Sequence, residues 1–185
     1  MAVRKIVRMG HPVLRKKARA LTDAEIKHPS LKALVRDMVD TLEDYSGIGL
    51  AAPQIGESIR LAIVQMAGGP SRYGEIPALP LTVFVNPTIT VLDPASAGHW
   101  EGCLSVPGLR GYVERPQHVR VDYLDLERNK KTLELRGFPA TVFQHEFDHL
   151  DGKLYIDRMT DLSRLVFEEE YLRYAQPAGE GEPEL

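Results

Sequence analysis

A single cysteine, Cys103, stands in 185 residues, which excludes an internal disulfide framework and fits a reducing compartment. The chain opens Met1-Ala2-Val3-Arg4-Lys5-Ile6 with no apolar run resembling a signal peptide or a membrane span, so the expected location is the cytoplasm, off the membrane. Its net charge of −3 argues against a dedicated nucleic-acid binder, and no DNA contact is expected. No internal repeat and no interdomain linker is visible. What remains is 43% hydrophobic and 26% charged, the composition of a globule able to bury a core. One domain over 1–185 is expected, ending in a mobile acidic tail from about 176.

Five residues carry most of the chemistry: His145-Glu146-Phe147-Asp148-His149. On a helix, positions i and i+4 stack on one face, so two imidazoles can close on one metal ion with Glu146 beside it. A helix is well specified here. Pro139 suits a first turn, Val142, Phe143, Phe147 and Leu150 form an apolar stripe, and Asp151-Gly152 supplies a stop. The aromatic flank would set the ion against a dry wall, where charge is poorly screened. The alternative is a surface helix with two solvated histidines.

A catalytic site of this type needs a third protein ligand and one position for water. No histidine follows His149, and Glu168, Glu169 and Glu170 are formally available. The better candidate lies upstream, where Cys103 sits in Trp100-Glu101-Gly102-Cys103-Leu104-Ser105-Val106-Pro107-Gly108, bracketed by glycines and closed by a proline turn. A lone cysteine can be core filler, nucleophile or metal ligand; beside a two-histidine motif short of a ligand, the metal thiolate is favoured. A third segment, Gly47 to Gly56, has glycines that let backbone approach a ligand and a Gln54 whose amide N–H could polarise a carbonyl. By itself it reads as a helix end running into a turn.

Together, GIGLAAPQ at 47–54, EGCLS at 101–105 and QHEFDHLDG at 144–152 resemble the three signature motifs of peptide deformylases, unbroken and in that order. The resemblance runs to about residue 160. It implies a hydrolase that removes the formyl group from N-formylmethionine on nascent polypeptides and releases formate. Cys103, His145 and His149 match that family's metal ligands, Glu146 its general acid/base, and Gln54 and the backbone N–H of Leu104 its oxyanion donors. One divalent ion is implied, Fe2+ natively, with Zn2+, Ni2+ or Co2+ able to replace it in purified protein; a soft thiolate tolerates iron(II) as well as zinc.

By family position Ile48, Gly49, Leu50, Gly102, Val142 and His145 would surround the substrate, and Arg110 would touch the peptide further along. An extended peptide could add to a sheet edge near Ile48 and Gly49. An enzyme of nascent chains is also expected to contact the ribosome transiently. Residues 1–20 hold Arg4, Lys5, Arg8, Arg15, Lys16, Lys17 and Arg19 without an acid, and are the candidate surface; residues 168–185 hold six glutamates, so the two ends should attract each other.

The chemistry stands on its own terms. Formamide hydrolysis needs a nucleophile at neutral pH, an electrophilic carbon and a proton for a poor leaving group; a metal supplies the first two and Glu146 would carry the proton. Gln54→Ala should lower turnover on the order of 100-fold, as loss of one oxyanion donor does elsewhere. A zincin-type metalloprotease is disfavoured by the missing downstream histidine, and a closed structural site would need a fourth protein ligand.

Patterning gives an α+β fold, which the resemblance also implies: antiparallel strands packed around a central metal-binding helix, with a long N-terminal helix and a C-terminal helix. Leu31, Leu34, Val35, Met38, Val39 and Leu42 mark the long helix between Pro29 and about Gly47. Strands are expected at 61–66, 81–86, 88–92, 118–124 and 131–135, with a hairpin turn at Asn129-Lys130. Ala67 to Pro80 reads as a surface loop and Asp161 to Tyr174 as the final helix.

Overall fold

The computed structural model describes residues 2–71 and 74–175. A short helix α1 (Asp23–Lys27) starts on a reciprocal cap between Thr22 and Glu25, each side chain accepting from the other's backbone N–H. Helix α2 (Pro29–Asp44) follows, with proline in its first turn and Leu31, Val35, Met38 and Leu42 buried at helical spacing. The long helix expected after Pro29 is therefore present.

Strands β1 (Gly49–Ala51), β2 (Leu61–Met66), β3 (Gly69–Ser71), β4 (Gly74–Ile76), β5 (Leu79–Glu101), β6 (Leu109–Leu124) and β7 (Lys130–Arg136) lead into helix α3 (Phe138–Leu150). The main sheet runs β1-β2-β5-β6-β7, all antiparallel, with β8 (Leu165–Phe167) paired to the start of β6. Both faces are covered. Leu61 and Ile63 pack with Leu50 and Val85 under α2, whereas Ala62 and Val64 join Phe84, Val119, Phe143 and Phe147 under α3. Alternation over two covered faces explains why 61–64 is a continuous apolar run.

Several elements differ from the sequence reading. Segments 81–86 and 88–92 belong to one strand, because the pairing slips between Val85 and Thr88 where Asn86 has φ 51° and Pro87 has no N–H to donate. Such a bulge bends a ladder without ending it. The strand then continues to Glu101, the first residue of the second motif. The 67–80 segment contains the antiparallel ribbon β3–β4. The hairpin turn spans 125–129, with Asp125 Oδ1 accepting from Asn129 N–H at 2.8 Å, and Lys130 already belongs to β7.

The C-terminal helix is present but shorter than expected, beginning at Glu168 rather than Asp161. A 3-10 turn (Leu162–Arg164) precedes β8, and the one-turn helix α4 (Glu168–Glu170) runs into a π-helical turn at Tyr171–Ala175. Pairing of Leu109 with Phe167 and Gly111 with Leu165 along a free stretch of β6 outweighs the weak helical preference of Leu165-Val166-Phe167. The acidic tail from 176 lies outside the described residues. Among those described, no helix is long and apolar enough to cross a membrane.

Candidate metal centre

Helix α3 begins after Gly137, whose φ is +64°, and every residue from Phe138 to Leu150 except Gln144 is buried. The motif histidines are thus inside the molecule, which removes the solvated-surface alternative. Cys103 comes from the loop after β5, where a turn is closed by Val106 N–H donating to Cys103 O at 2.8 Å. Its Sγ is 3.3 Å from His149 Nε2, and one donor atom each from Cys103, His145 and His149 lies within 4.8 Å of the others. Glu168, the formal rival as third ligand, pairs with Arg110 instead, at 2.5 Å.

The donor set suits a cation. Burial opposes ionisation of Cys103, but His149 and His145 beside it bring the thiol down to about 5. Burial likewise opposes a charged His145, yet Cys103 and Glu101 hold it well above the ordinary imidazole range. Glu146 goes the other way. Burial raises its pKa above the usual carboxylate value against the pull of the two histidines, and its Oε2 is buried with no partner among the described residues. A neutralisable carboxyl with one free oxygen suits a proton carrier.

The first motif supplies room and a donor. A Cβ at residue 49 would lie 2.6 Å from the Glu146 carboxylate, so Gly49 is what lets Glu146 lie against β1. Gln54, in a 3-10 turn (Ala52–Ile55), accepts from Ala51 N–H at 2.8 Å through Oε1, and this turns its Nε2 toward Cys103 Sγ at 3.8 Å. A cavity of about 20 Å³, little more than a water molecule needs, is lined by Ile48, Gly49, Gln54, Gly102, Cys103, Leu104, Val142, His145 and Glu146. All three motifs meet there.

One expected substrate residue lies away from the small cavity, and another lines the cleft beside it. Leu50 points to the opposite face of the sheet, fully buried under α2, because side chains alternate along β1. Arg110 is on β6, buried rather than solvated, and faces an adjoining cleft with its guanidinium bound to Glu168. Gly102 accommodates it, since a Cβ there would be 2.6 Å from Arg110 Nη1. Among the described residues Lys5 and Arg8 share a cleft with Glu168 of the acidic end, and the glutamates at 180, 182 and 184 lie outside the described residues. Arg4 pairs with Asp37 and Glu57, Arg15 with Asp157 and Arg19 with Glu25.

Sequence reasoning missed the groups that hold the ligands. His145 Nδ1 is 2.7 Å from Glu101 Oε2. Glu101 is gripped by Arg115 through Nε at 2.6 Å and Nη2 at 3.1 Å; Arg115 Nη1 reaches Asp148 Oδ2 at 2.8 Å, and Arg158 Nε donates to the same oxygen at 3.0 Å. The chain His145–Glu101–Arg115–Asp148–Arg158 fixes the imidazole's orientation from behind. Two signals were present in the sequence: an acid opening the EGCLS segment and another inside HEFDH.

The sequence profile described as polypeptide deformylase matches residues 3–165. The chain belongs to the polypeptide deformylase family. A peptide deformylase of Leptospira biflexa is 43% identical over 170 residues, covering 92% of this chain and 95% of that relative. Peptide deformylase 1 of Prochlorococcus marinus is 44% identical over 169 residues, 90% of this chain and 86% of its own. Among solved structures, a class I type b peptide deformylase from Acinetobacter baumannii has a TM-score of 0.80 at 35% identity, over 86% of this chain and 100% of that one. The deformylase fold of mixed helices and antiparallel sheet is shared with these.

Proposed function

We propose that the chain is a metal-dependent hydrolase that removes the N-formyl group from the N-terminal formylmethionine of newly synthesised polypeptides, releasing formate. The observation that carries this reading is the convergence of Cys103, His145 and His149 donor atoms within 4.8 Å beside a buried Glu146. A divalent ion held there would supply Lewis acidity and an acidified water, the two things formamide hydrolysis lacks at neutral pH. Fe2+ is the proposed native ion, favoured by the thiolate, with Zn2+, Ni2+ or Co2+ as substitutes. Three donors in the group among the described residues favour a hydrolytic over a closed structural site.

In this reading Glu146 accepts the water proton and delivers it to the departing nitrogen, a cycle suited to a carboxyl whose pKa burial has raised. Gln54 Nε2 and the Leu104 backbone N–H stabilise charge that develops on the formyl oxygen, and their fixed positions cost no reorganisation during the reaction. Ile48 and Val142 are apolar walls of the small cavity at the reacting group, against which the methionine side chain would begin. The backbone of the formylmethionine residue itself adds to β1, the terminal strand of the sheet. The setting is the cytoplasm, where transient ribosome contact would use basic side chains outside the N-terminal ion pairs.

Formate release from formyl-Met-Ala-Ser, set against the acetylated peptide and an internally cleavable peptide, tests the assignment. Metal-dependent release from the formylated peptide alone is expected; cleavage of the internal bond would assign a protease instead.

A further inference from the structure

An open cleft of about 310 Å³ adjoins the small cavity and shares Gly102, Cys103 and Leu104 with it. Lys5 and Arg8 line this cleft and are exposed. The three other arginines of the basic N-terminal segment are neutralised, Arg4 by Asp37 and Glu57, Arg15 by Asp157 and Arg19 by Glu25, while Lys16 and Lys17 do not line the cleft, and within it Glu168 is engaged by Arg110. Lys5 and Arg8 have no ion pair of their own among the described residues. The segment that carries them is fastened to the catalytic loops, with Val7 N–H donating to Gln54 O at 2.8 Å and Met9 N–H to Ser105 O at 2.7 Å. Two uncompensated cations are therefore held at a fixed place beside the metal ligands.

Resting on the deformylase reading, we infer that the cleft receives the residues that follow formylmethionine and that Lys5 and Arg8 select acidic side chains there. The small cavity admits little beyond the reacting group, so the rest of the substrate must lie along an adjoining surface, and this cleft begins at Cys103 and Leu104 themselves. Exposed charge pairs are individually modest and screened by salt. The selection accordingly appears as a several-fold effect on kcat/KM, carried by KM and strongest at low ionic strength.

The test compares C-terminally amidated formyl-Met-Ala-Asp-Asp, formyl-Met-Ala-Ser-Ser and formyl-Met-Ala-Lys-Lys on the metal-loaded enzyme, with formate as readout. The acidic peptide should exceed the basic one about 5–10-fold in kcat/KM at low salt, narrowing to about 2-fold in 0.5 M salt. Lys5→Gln with Arg8→Gln should abolish the preference and the paired Glu substitutions should invert it, while the Ser-Ser peptide changes less than about 2-fold. Equal rates on all three peptides, or a preference that survives both double variants, overturns the inference and leaves the deformylase reading standing. Absence of formate from every peptide overturns both.

Discussion

At residue 49 a methyl group would stand 2.6 Å from the Glu146 carboxylate, well inside the distance at which nonbonded atoms repel, so the absence of one methyl governs where the proposed proton carrier lies. Gly49→Ala should lower kcat/KM on the order of 100-fold by displacing that carboxyl, since small misplacements near the reacting atoms are costly; metal content by elemental analysis should stay at the native level. The sequence indicated which residues converge where the pattern is local. Cys103, His145, His149, Gln54 and Glu146 all reach one cavity wall or its ion site. Leu50 was misplaced because its direction depends on which face of β1 meets α2, a fact of tertiary packing. The expected loss of about 100-fold for Gln54→Ala gains a physical basis in the 2.8 Å bond from Ala51, which fixes the amide's direction.

Among elements, β5 has the largest consequence for the site. By running past Pro87 and its bulge to Glu101, it delivers a carboxylate to the back of His145. The sequence obscured this run, because Pro87 and the small, turn-like residues at 93–98 resemble the end of a strand; partners in β6 supply the ladder that composition does not advertise. The same partner strand captured β8 from what patterning suggested was a helix. Glu101→Gln keeps the shape but removes the charge that faces the imidazole and Arg115. It should weaken metal affinity about 10–100-fold, measured by competition with a chelator, while unliganded protein keeps its secondary structure by circular dichroism. Unchanged affinity would show that the bond orients nothing.

For the molecule as a whole, the buried ion chain ties sheet to helix and to the segment after it. Burial acts against the Asp148 carboxylate, but hydrogen bonds from Arg158 and the charge of Arg115 hold it below its ordinary 3.8. A carboxyl with a depressed folded pKa stabilises the fold above its unfolded value and loses that contribution as pH falls through the folded one. The stabilisation is therefore whole at pH 7 and declines as pH drops below 3.8. Asp148→Asn should cost about 3–5 kcal/mol at pH 7, because two arginines lose a buried partner. Its melting temperature should then fall less steeply below that pH than the native protein's. The overall α+β arrangement was legible from helical and strand periods. The pairing of Arg4 and Arg15 with Asp37, Glu57 and Asp157 was not, since it depends on chain crossings that no local pattern encodes.

The division of labour at the centre is open to one direct measurement: metal content and formate release, determined side by side under anaerobic conditions, for native protein, Glu146→Ala and Cys103→Ala. Native protein and Glu146→Ala should each hold about one ion per chain, with turnover in the glutamate variant lowered at least about 100-fold, whereas Cys103→Ala should fail to retain the ion through dialysis. Equal loss of metal from both variants, or full metal and activity without the sulfur, would contradict the account.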